Sequence, residues 1–163
     1  MYYDYLDSPV GRLLLVLDKD GLRHVHFVNG RQPLDIDESW ERGAGALHEA
    51  RSQLNAYFAG KLSRFDLPLD PQGTEFQRQV WLELLRIPYG RTTTYGEIAT
   101  RLGDAGASRA VGAANGSNPL AIVVPCHRVI GANGKLTGYG GGLTTKRFLL
   151  DHEQRHSAFS LQP

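Results

Sequence analysis

The hydrophobic periodicity of the chain changes near residue 73, and this change limits the possible folds more than any other feature of the sequence. Before it, residues 2–6 and 12–17 have the composition of strands, and the turn chemistry of residues 18–21 leads into a third strand at residues 22–28. After it, apolar residues recur at helical spacing. The sequence therefore predicts an α+β protein in which an antiparallel sheet precedes a mainly helical part.

The first part also contains one predicted helix. Residues 30–45 are polar and rich in Gly and Asp, which is typical of a loop, and apolar residues then recur at helical spacing from Leu47 until Gly60. Residues 65–69 alternate between apolar and polar and predict one more short strand.

A segment that contains Pro and Gly, residues 70–73, marks the boundary between two predicted lobes. We define an N-terminal lobe of residues 1–73, with a supporting role, and a C-terminal lobe of residues 74–163. Residues 1–70 carry 8 basic and 11 acidic side chains (net −3), whereas residues 71–163 carry 10 and 6 (net +4). The C-terminal lobe is therefore where a polyanion would dock.

The helices of the C-terminal lobe have recognisable beginnings. Thr74 with Gln77, and Thr94 with Glu97, match the capping-box pattern at the start of two helices. The second of these is short, and a Gly-containing turn leads from it to a third helix at residues 107–115. This pair of short helices predicts a helix-turn-helix.

Three further segments complete this lobe. Residues 120–124 are an apolar, β-branched run that Pro125 interrupts, residues 131–142 form a long Gly-rich loop, and residues 143–153 are predicted to be the last helix. Loops of this length are uncommon in compact domains unless they are functional.

The chain has a single cysteine, which excludes an intramolecular disulfide and a Cys-rich zinc knuckle and fits a reducing compartment. No apolar run approaches the roughly 20 residues that a bilayer crossing needs. The N-terminus lacks the pattern of a signal peptide. We expect a cytoplasmic protein without a membrane partner.

Cys126 is the first candidate for chemistry, because His127 and Arg128 follow it directly. Positive partners raise the thiolate fraction of a cysteine, and the thiolate is the nucleophilic form. The alternative is that a lone cysteine in an apolar stretch is a small buried hydrophobe.

Arg109 is the second candidate, at the start of the second helix of the predicted helix-turn-helix. A recognition helix usually enters a groove with its N-terminal residues toward the bases, so this arginine could contact a base edge or fill the gap left by an extruded nucleotide. The alternative is a pair of packed helices with a solvated arginine.

Tyr139 is the third candidate, within the glycines of the long loop. Glycines let a backbone approach a flat ligand closely, and a tyrosine could stack on it or donate a hydrogen bond. The alternative is a flexible connection.

A competing pattern lies near the end of the chain, where His152, Glu153 and His156 match H-E-x-x-H. On a helix this spacing can place two imidazoles on a zinc ion with the glutamate as a general base. We disfavour a zinc hydrolase because few residues follow that could supply a third ligand, and His156 falls where the last helix is predicted to fray.

Several motifs together resemble one protein family. The PCHRVI sequence at residues 125–130 is similar to the active-site signature of the O6-alkylguanine-DNA alkyltransferases. Further motifs occur in the order and spacing of that family: IPYG at residues 87–90, TYGEIA at 94–99, SRAVG at 108–112, NP at 118–119 and GYGGG at 138–142. The resemblance covers about residues 74–153, and residues 1–73 match the family's ribonuclease-H-like lobe in pattern only.

The resemblance implies a catalytic role for several residues. Cys126 would accept the alkyl group, and His127 would act through a water as its base, oriented by Glu153. Asn118 would brace the active-site turn, and Tyr95 would donate to N3 of the leaving guanine.

The resemblance also implies how substrate is recognised. Arg109 would replace the flipped base in the stack, and backbone groups at Cys126, Val129 and the loop around Tyr139 would read the guanine edge. The positions expected to contact substrate or DNA are Ser108, Arg109, Ala110, Arg128, Val129, Tyr139 and Gly140. From charge alone, Lys135, Lys146 and Arg147 are candidates for phosphate contacts.

The implied function is repair of double-stranded DNA, bound through its minor groove, by irreversible and stoichiometric transfer of an alkyl group from O6 of guanine to Cys126. No metal or other cofactor is implied. We expect a monomer, and leave open whether it binds DNA cooperatively. The alternative function is a DNA lesion-binding protein without catalysis, and the cysteine itself argues against that subclass. One departure is Gly140, where some relatives have a serine.

Overall fold

The computed structural model describes residues 1–160, with side chains as far as residue 157, and it shows a four-stranded sheet and five α-helices in that part of the chain. The predicted α+β class is confirmed. Residues 161–163, which belong to the predicted C-terminal lobe, lie outside the described residues.

The first three strands form the predicted antiparallel meander. They are β1 (Tyr2–Ser8), β2 (Gly11–Leu17) and β3 (Leu22–Phe27), and β2 lies between the other two. In the turn before β3, Oδ1 of Asp18 accepts hydrogen bonds from the backbone N–H groups of Asp20 (2.7 Å) and Gly21 (3.0 Å). An aspartate therefore closes the hairpin, as the turn chemistry predicted.

Two details of the N-terminal lobe differ from the prediction. Residues 65–69 do not form a strand, because their pairing with the sheet is a single bridge from Leu69 to Leu22. The predicted loop contains a short strand, β4 (Glu41–Arg42), which pairs in parallel with β1. Apolar and polar residues that alternate over a short segment do not by themselves predict a strand, because a strand also needs a neighbouring strand with which to pair.

Helix α1 (His48–Phe58) covers the sheet with a buried side that includes Ala50, Leu54 and Tyr57. It ends before Gly60, which has a φ of 75°. This left-handed conformation suits glycine at the end of a helix, as the sequence predicted.

The C-terminal lobe contains the predicted helices α2 (Glu75–Leu85), α3 (Tyr95–Arg101) and α4 (Ser108–Gly116). The indole N–H of Trp81, on α2, donates to the carbonyl of Ala114, on α4, over 2.8 Å. At the start of α3, Oγ1 of Thr94 accepts from the backbone of Glu97 (3.2 Å), but the Glu97 carboxylate accepts from Oγ1 of Thr93 (2.5 Å). The Glu97 side chain therefore does not bond back to the backbone of Thr94, and the second predicted capping box is incomplete.

The segment that leads to the cysteine is irregular. Residues 120–124 form turns, and Ile122 has a φ of 72°, the only positive φ among the non-glycine residues described. A 3-10 turn (Cys126–Arg128) follows, and β6 (Val129–Ile130) then pairs in parallel with β5 (Thr93–Thr94). β-Branched residues adopt such a φ at a cost, so packing around this segment must hold it.

The last helix, α5 (Leu143–Ser160), is longer than predicted. His156 therefore lies within the helix, and the prediction that the helix frays there was wrong. None of the described helices is both long enough and apolar enough to cross a membrane.

The capping box of α2 gives a test of this local structure. Thr74 accepts from the backbone of Gln77 (3.1 Å), and the Gln77 side chain accepts from the backbone of Thr74 (2.8 Å). Thr74→Ala should lower the free energy of unfolding by about 1 kcal/mol in denaturant titrations, because the backbone N–H of Gln77 loses its side-chain acceptor. Thr92→Ala, at an exposed position outside the helix, should change it far less, and equal losses in both variants would contradict the assignment.

Candidate active site

Cys126 lies in the wall of a cavity, at the start of the 3-10 turn. Cys126 is 6% exposed, and its backbone N–H donates to the carbonyl of Val124 over 2.8 Å. Asn118 holds the preceding segment, because its Nδ2 donates to the same Val124 carbonyl (2.8 Å) and its Oδ1 accepts from the N–H of Leu120 (3.0 Å). The structure thus brings Asn118 to the turn that presents the thiol.

His127 and Glu153 form a buried pair behind the cysteine. Nε2 of His127 lies 2.7 Å from Oε2 of Glu153, and the two side chains are 0% and 1% exposed. Burial raises the pKa of Glu153, but the hydrogen bonds from His127 and Arg128 and the charge of Arg128 hold it well below its usual range. An ionised carboxylate can only accept, so Nε2 of His127 carries the proton.

That tautomer leaves Nδ1 of His127 as a hydrogen-bond acceptor. Nδ1 is buried and has no hydrogen-bond partner among the described residues. Burial lowers the pKa of His127, against the opposing effect of Glu153, which favours the neutral ring. A neutral, oriented imidazole with a free lone pair is what a general base requires.

Arg128 holds the other side of the carboxylate. Its Nε donates to Oε1 of Glu153 (2.7 Å), its Nη2 to Oε2 (3.0 Å) and its Nη1 to the carbonyl of Ile87 (2.7 Å). The residue is 6% exposed. The expectation that Arg128 contacts DNA is therefore corrected, because its guanidinium is directed into the protein to compensate a buried charge.

Lys146 also lies inside the protein, contrary to its expected role on the surface. It is 0% exposed, and its Nζ donates to the carbonyls of Val129 (2.6 Å) and Thr137 (3.4 Å). Burial lowers the pKa of Lys146, while the proximity of Cys126 opposes that change. Of the backbone groups of Val129, which were expected to read guanine, the carbonyl is thus already bonded to an ammonium group.

The resulting environment acts on the thiol in two directions. Burial raises the pKa of Cys126, whereas the Asn118 amide, the Lys146 charge and the Tyr139 hydroxyl act to lower it, and the net shift is upward. The thiol therefore needs a base to become nucleophilic at neutral pH.

The cavity beside Cys126 has a volume of about 570 Å³. Tyr95, from α3, lines it, and its hydroxyl lies 2.5 Å from Oγ1 of Thr137 in the Gly-rich loop. Tyr139 and Gly140 from that loop line it as well, as does Asn118. Five of the predicted residues therefore meet at one cavity: Tyr95, Asn118, Cys126, Tyr139 and Gly140.

The N-terminal lobe supplies part of the cavity wall, which sequence reasoning did not foresee. The rings of Phe27 and Tyr139 are 5.6 Å apart, edge to face. The backbone N–H of Arg31 donates to the carbonyl of Gly140 (3.2 Å), and a Cβ on Gly30 would lie 2.8 Å from that carbonyl oxygen. The lobe therefore holds the Gly-rich loop in place, and only a glycine fits at position 30 without a shift.

Helix α4 supplies part of the wall of this cavity. Gly112 and Asn115 of α4 line the cavity, and Ser108, Arg109 and Ala110 form the first turn of the helix. Arg109 and Ala110 are exposed and Ser108 is half-buried. The arginine is thus available to a partner that approaches the cavity.

The H-E-x-x-H residues are occupied by contacts within the protein. Nε2 of His152 donates to the carbonyl of Tyr57 (2.8 Å), and Nδ1 of His156 donates to the carbonyl of His152 (2.7 Å). Glu153 points to His127 and Arg128. Among the described residues, the side chains close enough to share a cation are Asp18, Asp20 and Asp70, at the β2–β3 turn and the lobe boundary.

Comparison with known proteins identifies relatives over nearly the whole chain. Residues 1–71 match the family model of the 6-O-methylguanine DNA methyltransferase ribonuclease-like domain, and residues 75–155 match that of its DNA binding domain. The chain is 56% identical to the methylated-DNA–protein-cysteine methyltransferase of Methanosarcina acetivorans over 94% of this chain and 98% of that protein. It is 51% identical to the protein of the same name from Mycobacterium tuberculosis over 99% and 97%.

A solved structure is similarly close. The crystal structure of Mycobacterium tuberculosis OGT in complex with DNA matches with a TM-score of 0.89 at 51% identity, over 96% of this chain and 94% of that chain.

The buried carboxylate predicts a specific pH dependence of stability. Because the pKa of Glu153 is depressed on folding, its contribution is present above the ordinary value of 4.5 and is lost as the pH falls below it. Glu153→Gln should lower the free energy of unfolding by about 3–5 kcal/mol at neutral pH, since Arg128 loses its counter-charge. The difference between wild type and variant should shrink in acid.

Denaturant titrations between neutral pH and about pH 3 measure this difference. Glu38→Gln, at an exposed position, is the matched control and should stay near wild type throughout. A deficit of Glu153→Gln that is the same at every pH would show that the carboxylate does not titrate as this geometry requires.

Proposed function

Because the chain belongs to the 6-O-methylguanine DNA methyltransferase family, we propose that Cys126 is the residue that receives the alkyl group. The activity follows from the family: the protein is a methylated-DNA–protein-cysteine methyltransferase, which repairs DNA by transferring the alkyl group to a cysteine. One observation supports the assignment above all others. The single cysteine of this chain lines a cavity, next in sequence to a buried imidazole whose Nδ1 has no partner among the described residues.

The bond changes follow from these groups. The proton of Cys126 passes to Nδ1 of His127, through a bridging water, as sulfur attacks the alkyl carbon. The C–S bond forms while the bond from carbon to O6 breaks, and its electron pair leaves with guanine. Tyr95 donates toward N3 of the base and so offsets the charge on the leaving purine. The Glu153 carboxylate stabilises the imidazolium that forms.

The product limits the protein to one reaction. A thioether has no accessible leaving group comparable to the alkylated purine, so Cys126 is not regenerated. We therefore propose stoichiometric, single-turnover repair that involves no cofactor.

Substrate access requires that the damaged nucleotide leave the duplex. A stacked base cannot present its O6-alkyl carbon to a cavity, so the nucleotide must be flipped out. We propose that α4 enters the minor groove, that the exposed Arg109 fills the gap in the stack, and that Ser108 and Ala110 allow close approach because they are small. Tyr139, Gly140 and the backbone near Val129 then contact the base.

The binding partner in this proposal is double-stranded DNA that contains O6-alkylguanine, bound by a monomer.

The division into lobes of residues 1–73 and 74–163 is also part of the proposal, supported by family matches that end at residue 71 and begin at residue 75. The alternative, lesion binding without catalysis, is not favoured because its site would need neither the cysteine nor the base beside it.

The assignment of Cys126 has a direct test by intact-protein mass spectrometry. After mixing with an oligonucleotide that carries one O6-methylguanine, the protein should gain about 14 Da, once per chain and mapped to Cys126. Cys126→Ser should gain nothing while it still binds that DNA. Tight binding of wild type without a mass gain would instead support the lesion-binding function.

Lys146 has a predicted effect on the thiol itself. Replacing its buried charge in Lys146→Met should raise the pKa of Cys126 further and slow its alkylation by a small haloacetamide about tenfold at neutral pH, because one pKa unit changes the thiolate fraction tenfold. The pH profile of alkylation measures this. Lys61→Met, at an exposed position, is the control, and matching profiles for both variants would contradict a role of Lys146.

A further inference from the structure

The carboxylate behind the active site accepts a hydrogen bond from the N-terminal lobe. The hydroxyl of Tyr57, on α1, lies 2.7 Å from Oε2 of Glu153, although the two residues are 96 positions apart in the chain. Tyr57 is 0% exposed. Oε2 is the same oxygen that accepts from Nε2 of His127 at 2.7 Å, so Tyr57 and His127 share one acceptor.

A second hydrogen bond fixes the same junction. Nε2 of His152 donates to the backbone carbonyl of Tyr57 over 2.8 Å, and the rings of these two residues lie 5.2 Å apart. Tyr57, near the end of α1, is therefore bonded to two consecutive residues of α5, His152 and Glu153. His152, the first histidine of the H-E-x-x-H pattern, therefore links the two lobes.

The direction of the Tyr57 hydrogen bond is settled by charge. Burial, followed by the proximity of Glu153, raises the pKa of Tyr57, while the pKa of Glu153 is depressed by His127 and Arg128 despite burial. The phenol is therefore protonated and the carboxylate ionised over the range in which proteins work. The hydroxyl donates, so two neutral side chains, Tyr57 and His127, donate to Oε2 beside the charged Arg128.

The remaining donors would not hold the carboxylate in the same way. Arg128 bonds to both oxygens, at 2.7 and 3.0 Å, and its planar fork favours a symmetric, two-oxygen arrangement. Tyr57 adds a further donor to Oε2, and this donor comes from the N-terminal lobe. Without it, Oε2 keeps only its bonds to His127 and Arg128, so the carboxylate is held less firmly against the imidazole whose tautomer and orientation it fixes.

We propose that Tyr57 is a positioning residue for alkyl transfer, through which the N-terminal lobe holds Oε2 of Glu153 against His127. This inference rests on the proposed function, because it assumes that Cys126 reacts with His127 as its base. It assigns the N-terminal lobe a part in the chemistry as well as in support of the fold.

The test compares Tyr57→Phe with wild type in two measurements. The first is the rate of methyl transfer from an O6-methylguanine oligonucleotide to Cys126. The second is the pH titration of the thiol, followed by the rate of its alkylation with a small haloacetamide, and this reports Cys126 because the chain has one cysteine. We expect transfer at neutral pH to be slower by about tenfold and the thiolate titration to move to higher pH, because a loosely held imidazole is a weaker partner for the thiol.

Tyr89→Phe is the matched control. Its ring lies 6.2 Å from that of Tyr57, edge to face, and beneath the Arg128 guanidinium at 5.7 Å, but its hydroxyl makes no hydrogen bond to Glu153. The same chemical change there should leave both the transfer rate and the titration near wild type. Equal effects in the two variants would overturn the inference.

Replacement of Tyr57 by 4-aminophenylalanine is a rescue experiment. It keeps the inference testable even if the Tyr57→Phe variant does not fold. The amino group restores a donor at the ring position that faces Oε2, so transfer and titration should return toward wild type. A rate as slow as that of Tyr57→Phe, or a Tyr57→Phe variant that folds and reacts like wild type, would overturn the role of the hydroxyl. Absence of methyl transfer in wild type would instead overturn the proposed function.

Discussion

The ionised carboxylate of Glu153 is the group on which the active site depends. A buried charge is costly unless donors surround it, and five hydrogen bonds reach this one: two from Arg128 and one each from His127, Tyr57 and the backbone of Gly90. These donors come from the 3-10 turn, from α1 and from the loop after α2. Satisfying one carboxylate therefore fixes the relative positions of three parts of the chain and of α5, which carries it.

The electrostatics of the cysteine are consistent with a protein that reacts only once. Burial keeps the thiol mainly protonated, since the net shift of the pKa of Cys126 is upward. A thiol of this kind reacts slowly with adventitious electrophiles. In the proposed mechanism, His127 takes the thiol proton and the nearby charge of Lys146 favours the thiolate, at a cavity where a flipped base would place its alkyl carbon. Protection of the nucleophile and its activation thus come from the same buried environment.

The features that could be predicted from the sequence are those fixed by local interactions or by the motifs. The capping box at Thr74, the hairpin turn at Asp18 and the end of α1 before Gly60 depend on neighbours within a few residues, and each was found where expected. The orientation of a long cationic side chain does not depend on such neighbours. Arg128 and Lys146 were expected to face DNA, yet both point inward, because Arg128 bonds to a carboxylate from α5 and Lys146 bonds to carbonyls of β6 and of the Gly-rich loop. Nothing in the local sequence marks Tyr57 as a partner of Glu153.

The contacts between the lobes explain why the cavity cannot be attributed to either lobe alone. Phe27 packs against Tyr139, and the backbone of Arg31 holds Gly140, so the sheet of the N-terminal lobe supports the loop that faces Cys126. Gly140 itself has open space where a side chain would begin, since a Cβ there would meet nothing within 4 Å. A serine at this position, as in some relatives, therefore fits without moving the loop. The difference between a glycine and a serine here is then a side-chain hydroxyl at the wall of the cavity, and not a change in the backbone of the loop.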